Sequence, residues 1–217
     1  MKSLRDYLKW AEEKNVAIGH FNVSDSEGFK AVVESATELG VPVIIGVSEG
    51  ERSFLGVAEI RALVSVKQNE GLPVFLNADH TYSAGAAFEA IDQKFDAIII
   101  DGAEKPFVEN VVLTQEVVQY ARNNHPEILV EGELGFIGQG STLHDEIPDG
   151  VSENTQTSVQ DAVSFVEATG VDLFAPSVGN VHGLIRSGEP KLNIERIKEL
   201  KKALSIPMVL HGASGNT

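Results

Sequence analysis

The chain has 217 residues and a mass of 23.3 kDa, which suits one large domain or two small ones. Seventeen Lys and Arg against 32 Asp and Glu give a net charge of −15. A surface this acidic argues against non-specific nucleic-acid binding and against docking on an anionic membrane face. There is no cysteine, so disulfides and thiolate metal sites are excluded. With no apolar signal core at the start and no run near the roughly 18 apolar residues of a membrane helix, the expectation is a soluble cytoplasmic protein with neither nucleic acid nor membrane as a partner. Any anionic substrate must then be held by a metal, by backbone N–H groups or by a rare local cation.

Short aliphatic runs alternate with longer helix-period stretches. Residues 17–23 (AIGHFNV) predict a strand, and 25–40 a helix with Phe29, Val32, Val33, Ala36 and Leu39 on one face and Gly40 as C-cap. Residues 41–47 predict a second strand, followed by a helix near 57–69. Residues 74–77 predict a third strand, with its helix over 83–94; residues 97–100 a fourth, with its helix over 108–123; and residues 128–133 a fifth. A Gly-rich, acidic stretch without clear period, 135–154, has the length of a functional lid or a disordered loop. A helix over 158–169 follows, with Ser158 and Asp161 as a capping pair, then a sixth strand over 173–177, a helix over 194–203 capped by Asn193, and the opening of a seventh strand at 207–210. Strands that are aliphatic without polar alternation are those of a parallel sheet buried on both faces. The fold expectation is α/β, either doubly wound or a (β/α)8 barrel. With about seven βα units where a complete barrel needs eight strands and about 250 residues, a barrel would be an incomplete one, forming a single domain over 1–217.

Of six histidines, His125 and His144 fall in polar connections and read as solvated, and His20 reads as a core or rim residue. His80, His182 and His211 each stand at or just past the C-terminal end of a predicted parallel strand, the edge where α/β folds build active sites. Singly, each reads more simply as an unrelated strand-end histidine. Together they suit a catalytic zinc site, which keeps three protein ligands and one open position. Asp79 precedes His80; alternation would turn its side chain away from that of His80, towards substrate, or it orients a ligand, or it caps the helix beginning near Ser83. Asp101 either orients a histidine or caps the next helix. Glu131 and Glu133, two apart, point the same way from a strand, an arrangement that either calls for a nearby cation or base or is an ordinary charged strand end. Glycine turns at 179–183 and 212–215, each beside a candidate ligand, and the turn at Ser48 suit a phosphate cradle of backbone N–H groups.

With these residues in view, the sequence resembles the class II, metal-dependent ketose-bisphosphate aldolases, of which fructose-bisphosphate aldolase is the main member. The matching segments are 17–23, Asn77-Ala78-Asp79-His80, Ile100-Asp101-Gly102, 130–135 (VEGELG), Gly179-Asn180-Val181-His182-Gly183 and His211-Gly212-Ala213-Ser214-Gly215, in the family's order and over nearly the whole chain. The resemblance implies a (β/α)8 barrel with zinc on His80, His182 and His211, Glu133 near the metal, Asp101 orienting a ligand and Asp79 as the acid/base. It places Gly183, Gly212 and Ser214 at phosphate-binding positions, and Asn22 and Ser48 along the ketose phosphate. It implies a small phosphorylated sugar as substrate, zinc or another divalent metal as cofactor with room for a monovalent cation, and a homodimer or homotetramer. The family's acidic pair after the ELG segment is replaced by Gly138-Gln139-Gly140-Ser141, so Asp145 or Glu146 becomes the candidate loop acid/base. The resemblance stops before the family's eighth strand. This leads to the expectation of a fragment or a truncated chain, poorly active and poorly monomeric alone. Two other readings stay open: a zinc hydrolase on a barrel, and a non-catalytic barrel fragment that binds metal or phosphate.

Overall fold

The structure, a computed structural model, describes residues 2–138, 143–148, 151–186 and 191–212. Among them run α1 (Leu4–Lys14), β1 (Gly19–Asn22), α2 (Ser26–Leu39), β2 (Val43–Val47), α3 (Glu49–Leu55), α4 (Val57–Asn69), β3 (Val74–Thr81), α5 (Ala84–Asp92), β4 (Ala97–Ile100), α6 (Phe107–Asn124), β5 (Leu129–Leu134), β6 (Leu143–His144), α7 (Val159–Thr169), β7 (Leu173–Pro176), β8 (Leu184–Ile185) and α8 (Ile194–Ala203). The expected bounds of β4, α4 and α8 are met, and the other expected helices and five of the other six expected strands are present with shifted ends. Local chemistry explains the good boundaries. The Asp25 side chain accepts the Gly28 N–H at 2.7 Å at the start of α2, and Gly40 takes φ 67° at its end, a left-handed cap that costs glycine little.

The chain forms two compact units, Met1–Asp101 with Glu116–Val130, and Gly102–Gln115 with Glu131–Thr217. In the first unit the strands run in the parallel order β1-β2-β3-β4, and the start of β5 follows, with the Leu129 N–H donating to the Asp96 carbonyl at 3.1 Å. Its core is made of strand and helix aliphatics, among them Ile45, Leu76, Ile98, Ile99, Ile60 and Ile91. In the second unit the rest of β5 pairs in parallel with β7, Glu131 opposite Leu173 and Glu133 opposite Ala175. Phe165, Phe174, Val178, Ala162 and Leu200 form its buried centre. The fold class is therefore α/β, as expected, with six parallel strands in its main sheet where seven were expected.

Three differences from expectation have physical causes. The third strand runs four residues further, to Thr81, and all eight of its residues are buried; its last four residues, Ala78 to Thr81, lie past the strand predicted from the sequence but are interior. The predicted seventh strand at 207–210 is reduced to one parallel bridge, Met208 with Phe174, because the ladder would have to continue through the nitrogens of Pro207 on one side and Pro176 on the other, and neither carries an N–H. The stretch 135–154 contains β6, which pairs in parallel with β8.

Candidate active site

In the first unit the chemistry gathers at the C-terminal end of β3. The β3–β4 register shifts between Ala78 and Thr81, so Asp79 and His80 stand in a bulge, a device that re-aims side chains beside active sites. His80 has φ 38°, a left-handed conformation uncommon outside glycine. Strict alternation would send Asp79 and His80 to opposite sides. The bulge overrides it, and Asp79 Oδ1 lies 3.9 Å from His80 Nε2. Asp101 stands just past β4. Its Oδ2 is 2.8 Å from His80 Nδ1, and its own N–H donates to the Thr81 carbonyl at 2.8 Å. The carboxylate fixes Nδ1 as the protonated nitrogen, so Nε2 carries the lone pair a metal would use.

Asn22 ends β1 and divides its amide hydrogens between two carboxylates, Asp79 Oδ2 at 2.9 Å and Glu51 Oε2 at 3.1 Å. Glu51 also accepts the Ser24 hydroxyl and the Ser48 N–H. Ser48 caps α3, its hydroxyl accepting the Glu51 N–H at 3.3 Å. Glu49 accepts the Tyr82 N–H at 2.8 Å. Arg52, also on α3, is buried; burial lowers the pKa of its guanidinium, opposed chiefly by Glu49 and then Asp79. His20 takes a rim position, its Nε2 3.1 Å from Asn77 Nδ2.

In the second unit Glu131 and Glu133 are both buried on β5. Glu131 Oε1 is 2.7 Å from His211 Nε2, which leaves the lone pair of that ring on Nδ1. Asn110 Nδ2 donates to the Glu133 carbonyl at 2.8 Å. Asn180, fully buried, accepts the Val178 N–H at 2.8 Å and donates to the His211 carbonyl at 3.0 Å, joining the two glycine turns. The rings of His182 and His211 are 5.9 Å apart. Gly183 and Gly212 have φ 85° and 63°, and a Cβ at Gly212 would overlap the Val181 carbonyl. That crowding and the positive φ together require glycine there.

The remaining predicted positions are dispersed or undescribed. Ser214, and Gln139, Gly140 and Ser141 of the substituted loop, lie outside the described residues. Glu146 is exposed, and Asp145 is ion-paired with Arg186 at 3.1 Å on the surface. His144 belongs to β6, and His125 sits 3.5 Å from Glu127. Candidate metal donors are thus His80 and Asp101 in one unit, and Glu133, His182 and His211 in the other. Each unit holds an imidazole backed by a carboxylate, His80 with Asp101 and His211 with Glu131, as metal-binding histidines typically are when they give their second N–H to such a partner.

The family model for class-II fructose-bisphosphate aldolase matches residues 2–217. The chain belongs to the class-II fructose-bisphosphate aldolase family. A fructose-bisphosphate aldolase of Staphylococcus epidermidis is 36% identical over 221 residues, covering 98% of this chain and 73% of the relative. The YdjI aldolase of Escherichia coli K12 superposes with a TM-score of 0.83 at 32% identity, covering 99% of this chain and 74% of the other. The fructose-bisphosphate aldolase of Campylobacter jejuni gives 0.77 at 25% identity over 98% and 69%. No described helix of this aldolase-family chain is long and apolar enough to cross a membrane.

Sequence reading of this aldolase-family chain missed Glu51 and Arg52 as site residues. The signal for Glu51 was present, since Ser48 and Glu51 have the S-x-x-E spacing of a capping box. No local signal marks Arg52, whose partners Asp79 and Thr81 lie 27 and 29 residues away.

Proposed function

We propose that this chain catalyses the reversible aldol cleavage of a ketose 1,6-bisphosphate, fructose 1,6-bisphosphate foremost, to glycerone phosphate and glyceraldehyde 3-phosphate, with zinc as its metal. The observation that carries the reading is the pairing of two histidines with carboxylates, His80 with Asp101 at 2.8 Å and His211 with Glu131 at 2.7 Å. Family membership supports the reaction. His80, His182 and His211 would hold the ion, with Glu133 beside it. When bound, the ion supplies Lewis acidity to the substrate carbonyl oxygen.

The chain's own residues do the rest. Asp79 accepts the proton of the C4 hydroxyl as the C3–C4 bond breaks, so the C4–O bond becomes the aldehyde carbonyl. The electron pair of the broken bond stays with the three-carbon ketose fragment, which takes a proton at C3; Glu146 is the candidate donor. In the synthetic direction the same groups act in reverse. Asn22, bonded to Asp79 and Glu51, holds the Asp79 carboxylate in orientation and, with Ser48, lines the ketose phosphate. Gly183, Gly212 and Ser214 give phosphate a cradle of N–H groups and a hydroxyl. The proposal extends to a homodimer or homotetramer working in the cytoplasm.

A coupled assay for glyceraldehyde 3-phosphate tests it. Cleavage of fructose 1,6-bisphosphate should vanish with a chelator and return with zinc. A chain with full metal occupancy that cleaves neither the fructose nor the tagatose bisphosphate refutes the reading.

A further inference from the structure

Arg52 is the one buried arginine among the described residues, 4% exposed, and its hydrogen bonds all go to neutral acceptors. Nη1 donates to the Val47 carbonyl at 2.6 Å and to the Asp79 carbonyl at 3.2 Å, and Nη2 donates to the Thr81 hydroxyl at 3.0 Å. Among the described residues no carboxylate lies within ion-pair distance of it. A buried guanidinium without an ionic partner is expensive, so its placement needs a reason, and the three acceptors supply one. Val47 ends β2, and Asp79 and Thr81 flank His80 within the β3 bulge. The Asp79 carbonyl belongs to the peptide that joins Asp79 to His80. The orientation of that peptide plane sets ψ of Asp79 and φ of His80, which is 38°. A guanidinium that grips this oxygen from one side and the Thr81 hydroxyl from the other therefore holds His80 in a conformation that a strand would otherwise relax. Asp101 then acts on the ring alone, through Nδ1.

We propose that Arg52 is a positioning residue: by fixing the Asp79–His80 peptide it holds the His80 imidazole in the direction a divalent metal requires. The inference rests on the reading of His80 as a ligand. A lysine at this position keeps the charge but is a single point donor, whereas the planar fork of arginine reaches acceptors on both sides of the bulge.

The test uses the whole chain loaded with Co2+, with wild type, Arg52→Lys, Arg52→Met and His80→Ala compared by visible absorption and by competition with a chelator. Far-UV circular dichroism and the urea midpoint of the metal-free proteins report the fold. Arg52→Lys is expected to fold like wild type, to change the Co2+ ligand-field bands and to bind Co2+ about 10–100-fold more weakly, the usual effect of losing a group that orients a ligand. Arg52→Met should show the same changes in larger measure. An unchanged Co2+ spectrum and affinity in Arg52→Lys and Arg52→Met, with both changed in His80→Ala, overturns the inference and leaves the metal site standing. An unchanged spectrum and affinity in His80→Ala overturns the metal reading and the inference with it. An Arg52→Lys chain that does not fold also contradicts the proposal, because the claimed effect is local to the bulge.

Discussion

Replacing Asp101 by alanine is the sharpest perturbation of the first unit, because its backbone and side chain do separate things. The Asp101 N–H holds the Thr81 carbonyl at 2.8 Å, and a substitution at Cβ leaves that bond in place. The side chain, 12% exposed, meets His80 Nδ1 at 2.8 Å. Hydrogen bonds to charged groups contribute about 1.5–3 kcal/mol. At about 1.4 kcal/mol per factor of ten, that corresponds to roughly 10–140-fold in metal affinity, in line with the 10–100-fold usual for partners of ligating histidines. Asp101→Ala should therefore bind zinc about 10–100-fold more weakly, measured by competition with a chromophoric chelator at neutral pH. Asp101→Asn, which can still accept from Nδ1 but carries no charge, should fall between alanine and wild type. If Asp101→Ala binds zinc as wild type does, the carboxylate does not orient a ligand and the role given to Asp101 is wrong.

Three other perturbations probe different links. Asp79→Ala should lower aldol cleavage by roughly 10²–10⁴-fold, the usual contribution of a general acid–base group, while zinc content measured on the same preparation stays at the wild-type level. Phe165→Ala, at the fully buried centre of the second unit with Phe107 and Phe174 against it, should cost about 3–5 kcal/mol in urea unfolding. Tyr120 donates its hydroxyl to Asp92 at 2.9 Å, and that bond raises its pKa above 10.0. The stability from this pair is therefore complete below the ordinary tyrosine pKa and is lost as pH rises through the elevated one; in an ultraviolet titration Asp92→Ala should bring Tyr120 back towards the ordinary value.

Most of the architecture was legible because its signals are local. The aliphatic run 97–100 and the helix period of 57–69 need no distant partner to be recognised, and β4 and α4 have those bounds. Gly40 ends α2 for a reason written in one residue. What could not be read depends on partners far along the chain. The polar end of β3 lies past the predicted strand, and only burial shows that Asp79, His80 and Thr81 are interior residues of it. The bulge that brings Asp79 and His80 to one side breaks the alternation on which their predicted divergence rested. Glu131 and Glu133 share one strand parity, so alternation could not say which of them pairs with a base; the hydrogen bond to His211 spans 80 residues and falls to Glu131. The helix α1 was missed although Leu4, Leu8 and Ala11 recur at helical spacing and Ser3 with Asp6 opens it with a capping box, and the seven-residue α3 is too short to show a period, although Ser48 with Glu51 opens it in the same way.

The central claim, that His80, His182 and His211 share one divalent ion, is tested most directly by metal analysis of the purified chain and its three single histidine-to-alanine variants after equilibration with zinc and removal of excess. The account predicts one zinc per wild-type chain and marked loss of zinc in every variant. Stoichiometric zinc retained in all three variants would contradict it.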